Sequence, residues 1–192
     1  MVLMLGTGCF LVLVLLSIMS LYQWGHAILA ISSKKSASNQ RSARTTRFLI
    51  LIPAHNEEDG LPETLKSLST IQYPKDLVHI AVIADRCADD TAKVARAGGA
   101  QCLERSEGPG GKGAAMSWAM QVLRNEGTLF DALVIVDADC LADLHLLEAF
   151  DDALAKGHEV QQGYNYLSNP WETPFTRVIA VTSVLRNFLF YG

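Results

Sequence analysis

Three times in this chain a run of branched apolar residues stops at an acidic loop. That pattern limits the fold more than any other feature. The runs are residues 48–52 (FLILI), 78–84 (VHIAVIA) and 132–136 (ALVIV). Apolar runs of this length, without strict alternation, read as strands buried on both faces, as in a parallel sheet. The first is followed by Pro53-Ala54-His55-Asn56-Glu57-Glu58, the second by Asp85 and the third by Asp137-Ala138-Asp139. Helical patterns separate them. Leu61, Leu65, Leu68 and Ile71 share one helical face, which Tyr73-Pro74 ends. Asp89 is placed to cap a helix reaching Ala97, and Gly98-Gly99 closes it. Further helices are expected over 114–123, 141–155 and 175–191, with short strands over 101–105 and 160–166. Strand and helix in alternation define an α/β fold with a mostly parallel sheet. The strand ends of such a sheet point to one edge, where ligands bind.

Residues 2–21 are almost wholly apolar and uncharged. About 20 such residues span a bilayer as a helix. Tyr22 and Trp24 follow, as at a membrane interface. The sequence therefore predicts a transmembrane helix over 1–31 and a polar, basic juxtamembrane linker over 32–46 (SSKKSASNQRSARTT). Basic residues after the span place the N-terminus outside and the following domain in the cytoplasm, single-pass in the inner or plasma membrane.

Charge supports this division. The whole chain has a formal charge of -4. No acid precedes Glu57, whereas Lys34, Lys35, Arg41, Arg44 and Arg47 do. The rest of the chain is strongly acidic, which argues against a nucleic-acid partner. The four cysteines, Cys9, Cys87, Cys102 and Cys140, form no CxxC pair and no zinc spacing, and read as reduced thiols.

Asp137 and Asp139 stand one residue apart at a strand end. Such a pair can share a divalent cation, Mg²⁺ or Mn²⁺, or divide a metal and a sugar hydroxyl between them. The loop Gly108-Pro109-Gly110-Gly111-Lys112-Gly113 adds backbone amides and a lysine suited to phosphate. Its glycines match GxGxxG literally, but that fingerprint belongs after the first strand, where PAHNEE stands. Lys112 is followed by Gly113, so the loop is not a P-loop. A strand-end acid set with a glycine-lysine loop points to a nucleoside-diphosphate site with a metal. A sugar-phosphate nucleotidyltransferase would want its glycine-rich loop after the first strand instead.

The four motifs FLILIPAHNEE, VIADRCADDTA, GGKGAAMSWA and VIVDADC, in this order and spacing, resemble the inverting family-2 glycosyltransferases of GT-A fold. The resemblance covers about residues 48–164 and is nearest to bacterial membrane-bound members of the cellulose-synthase-like and hyaluronan-synthase-like type. It implies that Ala54 and His55 contact a uracil base, although a tyrosine is common at the latter position. It implies that Glu57 lies near the nucleotide and that Asp85 accepts a hydrogen bond from the base. Lys112 would lie near the diphosphate, and Asp137 and Asp139 would hold the metal and sugar phosphate. The donor would be a UDP-sugar and the acceptor a glycan or lipid. The family's catalytic base lies beyond the DxD strand, often in an ED motif, and QxxRW often follows. Neither motif follows the DxD strand here, and Glu159 and Glu172 are not assigned as the base. The chain therefore reads as the donor-binding half of a membrane-anchored transferase, the GT-A half over 47–166 and the start of an acceptor-side region over 167–192. A non-catalytic nucleotide-sugar-binding or scaffolding membrane module is the alternative.

Overall fold

The computed structural model describes residues 13–18, 20–22 and 44–190. Arg41–Gln161 form one compact unit, and Met1–Gln40 with Gln162–Gly192 are assigned to another. The expected membrane span and linker lie largely outside the described residues. Of the span, residues 13–18 and 20–22 are helical. Among the described residues no helix is long and apolar enough to cross a membrane.

The Arg41–Gln161 unit is built on four parallel strands. They are β1 (Phe48–Ala54), β2 (Val78–Asp85), β3 (Gln101–Arg105) and β4 (Ala132–Ile135), in the order β3-β2-β1-β4. The connecting helices are α1 (Leu61–Ser69), α2 (Thr91–Ala97) and α3 (Lys112–Asn125), with α4 (Leu146–Ala155) after β4. Alternate residues of β1 face opposite cores. Phe48, Ile50 and Ile52 pack with Leu61, Leu65 and Leu68 of α1 and with Leu147 of α4. Leu49 and Leu51 pack with Ala115, Ala119 and Leu123 of α3. Helices on both faces explain why β1 has no polar position. Burying each such side chain contributes roughly 1.5–3 kcal/mol.

Pro53 belongs to β1 although it lacks an N–H. Pairing of β1 with β4 ends at Leu51↔Ile135, so Pro53 lies beyond the ladder on that side. β4 departs from the expectation of a strand buried on both faces: Leu133 and Ile135 remain 40% and 48% exposed, so its α3-side face is uncovered among the described residues.

Two expectations are corrected. Residues 160–166 form no strand. Val160 is 94% exposed, and a lone apolar residue among Gln161, Gln162 and Gly163 buries too little to hold an edge. Gln161 Nε2 instead donates to the carbonyls of Phe150 and His158. The helix expected from 141 begins only at Leu146. Asp143 Oδ1 accepts the His145 amide at 2.8 Å, and residues 138–144 are held by α1 in a different path. In the other unit α5 (Pro174–Phe190) forms as expected, and the Arg177 guanidinium lies 5.9 Å from the Trp171 ring centre.

Where the chain enters β1, Arg47 donates from its backbone N, Nε and Nη2 to the Asp131 carboxylate. These bonds lower the Asp131 pKa from its ordinary value to about 2. A depressed carboxylate stabilises the fold fully above its unfolded value, and that contribution fades as pH falls towards 2. Asp131→Asn is therefore expected to flatten the acid limb of a thermal-melt-versus-pH profile between about pH 4 and pH 2. Identical limbs for variant and parent would show that the pair contributes nothing.

Candidate active site

All four strands are parallel, so Ala54, Asp85, Arg105 and Ile135 end at one edge. The chain leaves β1 towards β2 on one side, and β4 joins on the other. The space between the β1 and β4 ends is thus the switch point at which open α/β sheets bind ligands.

The loops after β1 and β2 are stitched together. Asn56, at φ +57°, accepts the Ala88 amide on Oδ1 at 2.7 Å. The Glu57 amide donates to Thr91 Oγ1 at 2.8 Å, and the Glu58 amide to Asp89 Oδ2 at 3.1 Å. Asp89 Oδ1 also accepts the Thr91 amide and hydroxyl. Asp89 is therefore not the cap expected of it: the capping position is Asp90, and Asp89 braces the entry to α2 from one residue upstream. His55 Nδ1 lies 2.7 Å from the Asp85 carbonyl. A carbonyl only accepts, so Nδ1 carries the proton. The exposed imidazole is thereby pinned over the junction of β1 and β2, beside buried Ala54.

Asp85, expected from the sequence as an acceptor for the base, has two arginine partners. It is paired in register with Arg105 across β2 and β3. Arg105 Nη1 donates to Asp85 Oδ1 at 2.7 Å, and Arg86 Nη2 donates to Oδ2 at 2.9 Å. Burial pushes the Asp85 carboxyl up, but bonds and charge from Arg86 and Arg105 outweigh it and hold it below the usual range. Arg105 Nη2 also donates to the Pro109 carbonyl at 2.6 Å, which ties the glycine loop to β3. Arg86 adopts φ +53°, and a Cβ on Gly110 would lie 3.1 Å from Arg86 Nη1. Bare glycine backbone lets the guanidinium lie against the loop. Both arginines were missed in the sequence. The only available signal was their place at strand ends.

Lys112 opens α3 rather than preceding it, with Gly111 at φ +100° before it. Its Nζ is paired with Asp137 Oδ1, and both side chains are about half exposed. Phosphate groups favour such helix N-termini. Asp139 is also exposed. A Cβ on Gly60 would lie 3.6 Å from Glu57 Oε2 and 3.7 Å from Asp139 Cα, so Glu57 and the DAD turn flank the same point. The structure therefore brings Glu57, Lys112, Asp137 and Asp139 together, with Ala54, His55 and Asp85 along the same edge.

Among the described residues no group of three or more His, Cys, Asp or Glu side chains could hold a metal. Two exposed carboxylates fit a hard cation that takes its remaining ligands from substrate phosphates and water.

An α/β domain with acids and a glycine-lysine loop at its switch point belongs to the open-sheet class that binds ligands at its strand ends. Residues 46–186 match the family model described as "Glycosyltransferase like family 2", and the chain belongs to that family. The 4,4'-diaponeurosporenoate glycosyltransferase of Staphylococcus haemolyticus is 33% identical over 144 residues, covering 71% of this chain and 37% of that protein. Probable glycosyltransferase YdaM of Bacillus subtilis is 44% identical over 45 residues, 23% of this chain and 11% of that one. The chain thus spans well under half of these relatives. A mannosyltransferase from Pyrobaculum calidifontis, solved with GDP-Man and Mn²⁺, superposes with TM-score 0.56 at 20% identity, covering 79% of this chain and 44% of that one. Glucosyl-3-phosphoglycerate synthase from Mycobacterium tuberculosis, solved with Mn²⁺, UDP and phosphoglyceric acid, gives 0.50 at 24% identity, covering 60% and 41%. These likenesses support the GT-A fold.

Proposed function

We propose that this chain carries the donor-binding half of a membrane-anchored, inverting glycosyltransferase that uses a UDP-sugar and a divalent cation. The observation that carries this reading is the meeting of Lys112, at the N-terminus of α3, with Asp137 of the DAD turn. A basic helix N-terminus and an acidic turn, side by side, suit a diphosphate chelated to a metal. The diphosphate would take Lys112 and the α3 amides, and Asp137 and Asp139 would take Mn²⁺ or Mg²⁺. When bound, the metal supplies charge neutralisation of the leaving diphosphate. Lys112 then has a second task. It releases Asp137 as the phosphates arrive, which exchanges one partner for another without leaving either charge bare. The acceptor would be a glycan or lipid, and neither Glu159 nor Glu172 is assigned as its base. The apolar N-terminal run and the basic residues after it support anchoring with the domain in the cytoplasm.

The choice of uracil rests on Asp85 and its arginines. Uracil presents an N–H between two carbonyls. Asp85 is an acceptor between the donors Arg105 and Arg86. Guanine would turn its exocyclic amine towards a guanidinium, donor against donor. A site of this kind is expected to prefer UDP to GDP by at least about tenfold. Competition between the nucleotides for the purified chain measures this, with Asp85→Ala collapsing the preference. Equal affinities in the parent would overturn the base assignment.

A further inference from the structure

We infer that Thr64 is a positioning residue for the metal-binding turn, acting through a polar clamp that α1 places on residues 138–144. This rests on the assignment of Asp137 and Asp139 above.

The apolar stripe of α1 is Leu61, Leu65 and Leu68, and Thr64 interrupts it. Thr64 is fully buried at 0% exposure. A buried hydroxyl is costly unless it finds a partner. Here Oγ1 donates to the Ala138 carbonyl at 2.7 Å. Ala138 is the central residue of Asp137-Ala138-Asp139, so this bond grips the peptide between the two carboxylates. One turn further on, Ser67 Oγ donates to the Thr64 carbonyl at 2.8 Å and accepts the Ala142 amide at 3.0 Å. Just past the helix, the Gln72 amide donates to the Leu144 carbonyl at 2.8 Å. At the other end, a Cβ on Gly60 would lie 3.5 Å from the Ala138 carbonyl oxygen.

The turn needs this support. Beyond β4 no helix or strand forms until Leu146. Within the turn the Cys140 amide donates to the Asp137 carbonyl at 3.1 Å. The Cys140 thiol adds a long contact to Asp139 Oδ1 at 3.7 Å, and these local bonds leave the peptide between the two carboxylates to be held from outside the turn. A metal pair tolerates little misplacement, and partners behind the ligands set their aim. Valine at position 64 would keep volume and branching but leave the Ala138 carbonyl without its donor.

Two readouts on the purified chain test this. Hydrogen exchange without ligand, read at the Ala142 amide and its neighbours in 138–144, is expected to speed up roughly five- to tenfold in Thr64→Val and stay near the parent rate in Thr64→Ser. Mn²⁺ titration in the presence of UDP is expected to weaken about tenfold in Thr64→Val, with recovery in Thr64→Ser. UDP affinity in chelator should not change. Should Thr64→Val fail to fold, Ser67→Ala gives the same two measurements. Unchanged exchange in 138–144 would overturn the clamp. Faster exchange with unchanged Mn²⁺ affinity would overturn the positioning role while leaving the functional reading intact. A parent that takes up no Mn²⁺ with UDP would sink the functional reading and this inference together, whatever the exchange shows.

Discussion

Asp139→Asn is expected to lower metal-supported UDP affinity on the order of 100-fold while leaving the melting temperature close to the parent's. Asp139 is exposed, and its carboxylate lies outside both core clusters. The substitution keeps shape and removes one negative charge. With Asp137 as the remaining carboxylate, still paired to Lys112, a divalent cation would lose half of the protein's anionic ligand set. Chelation of the parent should reproduce the variant. Without a cation, the diphosphate meets two carboxylates of its own sign. UDP binding with Mn²⁺, with Mg²⁺ and with chelator, for parent and variant, reads this directly. Binding that ignores both the metal and the substitution would remove the DAD turn from the site.

Arg105→Met is expected to destabilise the domain by about 3 kcal/mol. Arg105 and Asp85 are buried, and a buried ion pair that loses one member leaves a poorly compensated charge. Arg86 stays on Asp85 Oδ2 and softens the loss. The Pro109 carbonyl loses its donor as well, so the glycine loop loosens and nucleotide affinity falls with stability. The pH dependence identifies the cause. Asp85 is held below its ordinary value, so the pair stabilises fully above about pH 4 and ceases to do so as pH falls through the folded value. The difference between parent and variant in urea unfolding should therefore be largest at neutral pH and shrink on acidification. A difference that stays constant down to pH 3 would assign the loss to packing instead.

What was legible in the sequence was whatever packing makes continuous. β1 and β2 are legible as apolar runs because both of their faces are packed, β4 carries the same pattern although one of its faces is uncovered, and β3 matches its expected bounds. The strand-end acids followed from the same reading. Partners fixed by register were not legible. Arg105 is 20 residues from Asp85, and only the β2–β3 ladder sets them side by side. Lys112 read as a loop residue because glycines flank it, yet α3 starts there. The delayed start of α4 was hidden for a related reason. Apolar period marks residues 141–145 as helical, but Ser67 and Gln72 of a distant segment claim their backbone groups first.

The bond from Thr64 to Ala138 closes 74 residues of chain, and the β1–β4 pairing joins Phe48 to Ala132. Non-local pairing of this kind is slow to form, because loop-closure entropy is lost before the contact returns anything. A ribosome-bound chain that has released β1, β2 and β3 holds the arginine-flanked Asp85 but no DAD turn. The proposed metal ligands, Asp137 and Asp139, are therefore the last of the strand-end groups to be synthesised and placed. Under the proposed function, Mn²⁺ uptake would report the docking of β4, the last of the four strands to be synthesised.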